Sequence, residues 1–140
     1  MESIRVLIVD DLPQVREGLA AVLTLAGSAS DPKIEIAGEA RNGSEAIQQA
    51  REILPDVILM DLEMPGLDGY EATRRIKAEK PALRVIILSI HDGFDARQRA
   101  QAAGADAFIT KGDRYEILIN AILTEKEFNS TNLQEGENHD

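Results

Sequence analysis

Short apolar runs alternate with stretches of helical periodicity along this chain, and no other feature limits the possible fold as strongly. The predicted strands are residues 4–9, 34–40, 57–60, 84–88 and 107–110. After each strand, apolar residues recur at the spacing of an amphipathic helix. Neighbouring parallel strands need a crossover connection, and a helix between strands supplies one. The alternation therefore predicts an α/β fold, a doubly wound five-stranded parallel sheet with helices on both faces.

The limits of the helices are predicted from residues that start or stop helical structure. Pro13 begins the first helix and Gly27 ends it, while the fourth helix is predicted over residues 94–103. Side chains that can accept a hydrogen bond at a helix N-terminus precede the second to fifth helices. The predicted caps are Asn42, Asp68 with Glu71, Asp92, and Asp113 with Glu116.

One domain with one core suits a chain of 140 residues, of which 44% are hydrophobic. Residues 1–124 are predicted to form this domain. From residue 125 onward the chain is polar and acid-rich, with only Phe128 and Leu133 apolar. Residues 125–140 are therefore predicted to be a disordered tail.

The charge and composition exclude several classes of protein. A net charge of −10 repels phosphates, so direct binding of nucleic acid is not expected. No run approaches the roughly 18 apolar residues of a membrane span, and no signal peptide is recognisable at the N-terminus. The lack of cysteine fits a reducing compartment, and a cytoplasmic location is expected.

Polar side chains stand where the predicted strands end. Asp10 and Asp11 follow the first strand, Asp61 the third, Ser89 the fourth and Lys111 the fifth. Each of them alone is explained as well by a turn residue or a solvent-facing charge. Carboxyl ends of parallel strands share one edge of the sheet, where ligands of such folds bind. The set therefore predicts a site in which three carboxylates, a hydroxyl and a lysine converge.

Three crowded carboxylates indicate a bound cation, because their mutual repulsion would otherwise drive protonation. Oxygen ligands of this kind suit Mg²⁺, which binds one or two carboxylates and keeps several waters. A carboxylate can also attack phosphorus to give an acyl phosphate. The cation, the lysine and the hydroxyl would then each satisfy one oxygen of the transferred group.

Four segments resemble one known family, the receiver domains of two-component response regulators. They are VLIVDD, PDVILMDLEMPGLDGYEATRRI, VIILS and GADAFITK. The resemblance extends from Ile4 to about Leu123 and implies a flavodoxin-like fold with strand order 2-1-3-4-5. It implies a signalling role rather than that of an enzyme. LSIHDGF and the K-G-D after the fifth strand resemble the subfamily whose members carry a C-terminal helix-turn-helix domain.

The resemblance implies roles for the acidic residues. Asp61 corresponds to the phosphoacceptor, and Asp10 and Asp11 correspond to the acidic pair that holds the metal with it. The backbone carbonyl of Glu63 would be a further ligand. The implied cofactor is Mg²⁺ or Mn²⁺.

The same resemblance implies how the site signals. Lys111 and Ser89 match the residues that contact the phosphoryl group, and Ser89 and Phe108 match the pair that switches on phosphorylation. The responding face would be the fourth helix, the fifth strand and the fifth helix. Implied phosphodonors are a histidine kinase, a phosphotransfer protein or acetyl phosphate. An output domain or partner protein would follow, with a homodimer possible on phosphorylation.

Two positions depart from the commonest pattern of the family. Gly112 follows Lys111 where many members have proline, so no cis bond is expected there. Ile90 is bulky where many members have a small residue and is expected to narrow access to Asp61.

Glu63 and His91 lie two residues beyond Asp61 and Ser89, respectively. This spacing places them at the rim of the predicted site, where a hydrolytic water would approach. They are expected to tune dephosphorylation without being required for phosphorylation.

Two other classes of protein share part of this pattern. A phosphatase of the haloacid-dehalogenase type also uses Mg²⁺ and an aspartyl nucleophile, but on the first strand in a D-x-D pattern that Asp10-Asp11-Leu12 does not match. A receiver-like binding module would take no phosphate, whereas all five site positions are filled here. A dinucleotide-binding domain would need G-x-G-x-x-G after the first strand.

Overall fold

The computed structural model describes residues 3–124, which form five strands and five helices in alternation. The strands are β1 (Ile4–Val9), β2 (Ile34–Ala40), β3 (Val57–Asp61), β4 (Arg84–Ser89) and β5 (Ala107–Thr110). The helices are α1 (Pro13–Gly27), α2 (Gly43–Ile53), α3 (Gly69–Glu79), α4 (Phe94–Ala102) and α5 (Tyr115–Leu123). The predicted alternation is confirmed, and the predicted limits lie close to the observed ones.

The five strands are all parallel and follow the order β2-β1-β3-β4-β5. The order implied by the family resemblance is therefore confirmed. The strand order reverses between β1 and β3, and the crevice beyond their carboxyl ends is where ligands of such sheets bind. The register aligns Val9 with Met60, so the residues that follow them, Asp10 and Asp61, emerge side by side.

The sheet is covered on both faces, and successive side chains of a strand belong to different cores. Leu7 and Val9 pack with residues of α2, α3 and α4, whereas Val6 and Ile8 pack with residues of α1 and α5. Along β3 every residue is buried, including Asp61. Each fully buried aliphatic side chain contributes about 1.5–3 kcal/mol, so β3 is a rigid support for whatever its last residue presents.

Helix α4 is attached to the sheet differently from the others. Ala100 is its one buried residue, and the helix lacks a clear apolar stripe. Two arginines of α4 lie over aromatic rings instead: Arg97 over Phe108 at 4.6 Å and Arg99 over Tyr70 at 4.0 Å. Such cation–π contacts contribute about 0.5–2 kcal/mol each.

Two of the predicted caps are confirmed. Asn42 accepts a hydrogen bond from the backbone of Glu45 at 2.8 Å, and Asp68 accepts one from the backbone of Glu71 at 2.9 Å. The carboxylate of Glu71 pairs with arginines of its own helix, so Asp68 and Glu71 form only half of a capping box.

The other two predicted caps are wrong. Asp92 pairs with Arg97, and the residue before α4 is a glycine that offers no side-chain cap. Asp113 accepts a hydrogen bond from the backbone of Thr110 at 3.3 Å, and α5 likewise begins without a side-chain cap. Asp92 therefore pairs with a side chain of α4 instead of capping the backbone of that helix, and Asp113 closes the turn after β5.

Three further expectations concern the chain as a whole. Within residues 3–124, no helix is both long enough and apolar enough to cross a membrane. The cis peptide bond found in these residues joins Asp31 to Pro32, so the bond between Lys111 and Gly112 is trans, as expected. The predicted tail, residues 125–140, lies outside the described residues.

Leu54 ends α2 in a left-handed backbone conformation, with φ of 54°, although it carries a side chain. That conformation costs a non-glycine residue roughly 1 kcal/mol, and the Leu54 side chain is largely exposed. Leu54→Gly should therefore raise the free energy of unfolding by about 0.5–1 kcal/mol, measured by urea denaturation.

Leu25→Gly is the matched control, because Leu25 is also exposed but lies within α1. There glycine should lower the free energy of unfolding by about 0.5–1 kcal/mol. A destabilised Leu54→Gly would show instead that packing of the leucine outweighs the backbone strain.

Candidate functional site

The carboxyl ends of β1, β3, β4 and β5 bring the predicted site residues to one edge of the sheet. Asp10 and Asp11 follow β1, Asp61 ends β3, Ser89 ends β4 and Lys111 follows β5. Lys111 Nζ lies 2.8 Å from Asp10 Oδ2 and 3.1 Å from Asp61 Oδ1. The predicted proximity of the lysine to the carboxylates is thus observed as direct contact.

The three aspartates can act together as ligands for one cation. One carboxylate oxygen from each of Asp10, Asp11 and Asp61 lies within 4.8 Å of the others. Asp10 and Asp61 are buried, and Asp11 is partly exposed. Both oxygens of Asp10 are engaged, one with Lys111 and one with the backbone N–H of Leu12 at 3.0 Å. An all-oxygen donor set with one accessible carboxylate fits a hard divalent cation such as Mg²⁺.

The electrostatics of the site favour an added positive charge. Burial raises the pKa of Asp61 to about 6 against the attraction of Lys111, and the neighbouring Asp10 adds to the increase. Burial alone would lower the pKa of Lys111, but its hydrogen bonds and attraction to Asp10 and Asp61 outweigh that effect and raise it. One ammonium therefore stabilises the two carboxylates only in part, and a divalent cation would complete the neutralisation.

Ser89 and the rim residues are linked through the loop after β4. The buried Ser89 hydroxyl accepts a hydrogen bond from the backbone N–H of His91 at 3.0 Å. His91 Nε2 lies 2.5 Å from Glu63 Oε2, and both side chains are more than half exposed. Ile90, which lies between Ser89 and His91 in the sequence, is also largely exposed. The two loops that follow β3 and β4 are thus joined by a side-chain bridge.

Phe108 is buried on β5 and aligned with Ile87 of β4. Its ring lies under the guanidinium of Arg97, which is paired with Asp92 in the loop after β4. Contacts therefore run from that loop through Arg97 to the aromatic ring. The switch role of Phe108 stays a prediction.

Arg16 belongs to the surroundings of the site and was not singled out in the sequence. Its Nη1 donates to the backbone carbonyl of Asp10 at 2.6 Å. The signal that could have found it is its position: Arg16, Leu19 and Leu23 share the face of α1 that packs on the sheet. A charged residue on an apolar helix face indicates a specific partner.

A doubly wound sheet with three carboxylates and a lysine at its switch point defines a class of α/β protein, and comparisons with known proteins identify the family. The sequence-family model of the response regulator receiver domain matches residues 6–123. The chain is 37% identical over 119 residues to response regulator GacA of Pseudomonas viridiflava, covering 85% of this chain and 53% of that protein. It is 42% identical over 119 residues to the transcriptional regulatory protein LiaR of Bacillus subtilis, covering 85% and 54%.

A solved structure gives the same result. The crystal structure of a LuxR-family two-component response regulator from Aurantimonas matches with a TM-score of 0.82 and 33% identity, covering 99% of both chains. The chain belongs to the response regulator receiver domain family of two-component systems. Receiver domains act as phosphorylation-dependent signalling switches and generally signal rather than catalyse. The chain spans about half the length of the curated relatives it matches.

The raised pKa of Asp61 makes stability depend on pH. The folded carboxyl, with a pKa of about 6 against an ordinary 3.8, binds its proton more tightly than the unfolded one. Its contribution to stability is therefore present below the ordinary pKa and is lost as the pH rises through about 6. In EDTA at pH 7, Asp61→Asn should be more stable than the unaltered protein by about 1–2 kcal/mol, a value reduced for screening by water.

Urea denaturation at several pH values checks this expectation. The advantage of Asp61→Asn should shrink toward zero near the ordinary pKa of an aspartate, at about pH 4. Glu17→Gln removes an exposed carboxylate of α1 and should change the free energy of unfolding by less than about 0.5 kcal/mol at any pH. A pH-independent advantage for Asp61→Asn would contradict the assigned cause.

Proposed function

We propose that this domain accepts a phosphoryl group on Asp61 and thereby shifts a partner-binding surface. The observation that supports this most directly is the position of the Asp61 carboxylate. It ends a buried strand, lies 3.1 Å from Lys111 Nζ, and has an oxygen within 4.8 Å of carboxylate oxygens of Asp10 and Asp11. A rigid nucleophile with a neutralising cation beside it is what transfer of a dianionic group requires.

The transfer exchanges one bond for another. An Asp61 carboxylate oxygen attacks phosphorus, and the bond from phosphorus to the donor breaks. The donor leaves as acetate from acetyl phosphate, or as imidazole from a phosphohistidine of a histidine kinase or phosphotransfer protein. Asp61 is left as an acyl phosphate. Hydrolysis later restores the carboxylate and releases inorganic phosphate.

Residues of the chain bind the transferred group at its oxygens. Lys111, already beside Asp61, donates to one oxygen, and the Ser89 hydroxyl donates to another. Asp10, Asp11, Asp61 and the backbone carbonyl of Glu63 would hold Mg²⁺ or Mn²⁺. When bound, the cation neutralises the charge that gathers between the carboxylates and the phosphoryl oxygens.

The switch would act through the loop that follows β4. Ser89 is tied to this loop by the N–H of His91, and the loop is tied to α4 and Phe108 by the pair of Asp92 with Arg97. Drawing Ser89 toward a phosphoryl group would strain these contacts. α4 buries little apolar surface, so a small free-energy bias is sufficient to move it. The surface formed by α4, β5 and α5 is the proposed output face.

The partners follow from the same proposal. The relatives named above are about twice as long as the matched region, so an output domain or a separate partner protein would receive the signal. A homodimer formed on phosphorylation and a cytoplasmic location, where the phosphodonors are made, belong to the proposal. The strongly acidic domain itself would not bind nucleic acid directly.

A haloacid-dehalogenase mechanism has less support. There the nucleophile would be the first-strand aspartate, Asp10. Both oxygens of Asp10 are already engaged, by Lys111 and by the backbone N–H of Leu12, and the residue two positions after Asp10 is a leucine instead of the second aspartate of the D-x-D pattern.

Incubation with Mg²⁺ and acetyl phosphate should add one phosphoryl group, measured by intact mass. Asp61→Asn keeps the shape but removes the nucleophilic oxygen and should take up none. Lys111→Ala removes a donor to the transferred group and should slow uptake by at least about ten-fold. The adduct should be labile to hydroxylamine and alkali.

Matched controls separate the site from general effects of charge. Asp56→Asn changes the aspartate that directly precedes β3, and Lys33→Ala removes an exposed lysine that precedes β2. Both should be labelled at the unaltered rate. A stable phosphoserine at Ser89, or undiminished labelling of Asp61→Asn, would overturn the proposed function.

The bridge between Glu63 and His91 should tune the lifetime of the acyl phosphate. Exchange of both residues for glutamine removes the contact at 2.5 Å and opens the rim to water. The rate of phosphoryl uptake should stay within about two-fold of that of the unaltered protein. The decay of the acyl phosphate, measured as loss of the phosphorylated mass, should accelerate by roughly three- to ten-fold.

The control for this prediction is a second exposed ion pair. Arg51→Gln with Glu79→Gln removes the pair that joins α2 to α3, and decay should not change. If the decay rate of the Glu63 and His91 double variant also stays constant, these residues do not belong to the site.

A further inference from the structure

Arg16 connects three elements at the acidic edge of the sheet. From α1, its Nη1 donates to the Asp10 carbonyl at 2.6 Å and its Nε donates to Glu39 Oε1 at 3.0 Å. Its side chain is only 17% exposed although it is charged. Because burying an arginine is costly without partners, both contacts are needed to hold it there.

The Asp10 carbonyl belongs to the peptide plane that leads into Asp11. A carbonyl and the N–H of the next residue lie in one rigid peptide plane, so fixing the Asp10 oxygen fixes the backbone that leads into Asp11. Among the residues that the structure describes, the Asp11 carboxylate has no hydrogen-bond partner. Leu12, the N-cap residue of α1, provides no side-chain cap, and the first turn of α1 contains no acidic residue. Arg16 therefore adds, from α1, a second constraint on this segment to the hydrogen bond that the Leu12 N–H donates to the Asp10 carboxylate.

We propose that Arg16 is a positioning residue of the cation site. By holding the Asp10 carbonyl, it orients the backbone of Asp11 and so sets the affinity of the three carboxylates for a divalent cation. This inference rests on the proposed function, because it concerns the same site. It assigns a role to a residue that touches neither the cation nor the phosphoryl group.

The charge of Arg16 has the opposite effect on cation binding. A guanidinium near the site repels the cation, so its removal would tighten binding if repulsion were dominant. Orientation is the stronger effect, because the charge is already paired with Glu39 and is locally compensated. Residues that orient metal ligands typically change metal affinity by about 10- to 100-fold, and a contact that acts only through the backbone is expected at or below the lower end of that range.

The two effects predict opposite results for the same substitution. Arg16→Gln removes both the charge and the paired contacts, whereas Arg16→Lys keeps the charge but cannot bridge two acceptors with a planar fork. Arg41→Gln is the matched control. Arg41 directly follows β2 at the same edge, is exposed, and pairs with Glu45 rather than with the Asp10 segment.

Titration of the ¹⁵N-labelled full chain with Mg²⁺ alone, followed by amide chemical shifts of residues 10, 11 and 61, measures the affinity. Arg16→Gln and Arg16→Lys should each weaken binding by about three- to ten-fold, and Arg41→Gln should stay within about two-fold. The same spectra report whether each variant is folded. If an Arg16 variant unfolds, Glu39→Gln replaces it, because it releases the other end of Arg16 and should weaken binding by about three-fold, more than Arg41→Gln does.

Each remaining outcome counts against the proposal. Unchanged or tighter binding by Arg16→Gln would show that orientation does not matter. Full affinity in Arg16→Lys would show that a point charge suffices, and equal weakening by Arg41→Gln would show a general effect of charge. If the unaltered chain binds no Mg²⁺, both the proposed cation site and the role of Arg16 are wrong. If the unaltered chain and Arg16→Gln bind Mg²⁺ equally well, only the role of Arg16 is wrong.

Discussion

One ammonium group placed between two buried carboxylates organises the functional edge of this domain. Lys111 follows β5, while its partners Asp10 and Asp61 lie at the ends of β1 and β3, on the far side of β4. The lysine side chain therefore extends past the end of β4, where Ser89 is buried. Because this contact exists only if four strands have the correct order and register, the site depends on the fold as a whole.

The same contact leaves the site incompletely neutralised. Three carboxylates face one lysine, and burial together with Asp10 keeps the pKa of Asp61 high despite that lysine. The arrangement costs the metal-free protein stability, because a buried carboxylate must ionise near neutral pH. A bound divalent cation would offset this cost and prepare the site for an anionic group, so the repulsion that lowers stability would also contribute binding energy for the ligand.

The part of the domain that would respond is the part held by the fewest apolar contacts. α4 buries only Ala100 and is attached through the stacking of Arg97 and Arg99 on aromatic rings. The Asp92 carboxylate that pairs with Arg97 belongs to the loop after Ser89. Charged contacts of this kind can be exchanged at small cost in free energy, whereas a packed apolar interface resists displacement.

The sequence by itself determined the alternation of strands and helices and the set of residues at the strand ends, because apolar periodicity and the polarity of a parallel sheet are local properties. It also indicated the family through its motifs. Only the tertiary structure decided that Asp92 pairs with the Arg97 side chain and Asp113 closes a turn instead of capping helices, and that Arg16 holds the Asp10 carbonyl. These outcomes depend on which donor and acceptor lie nearest in space, and no sequence spacing encodes that distance.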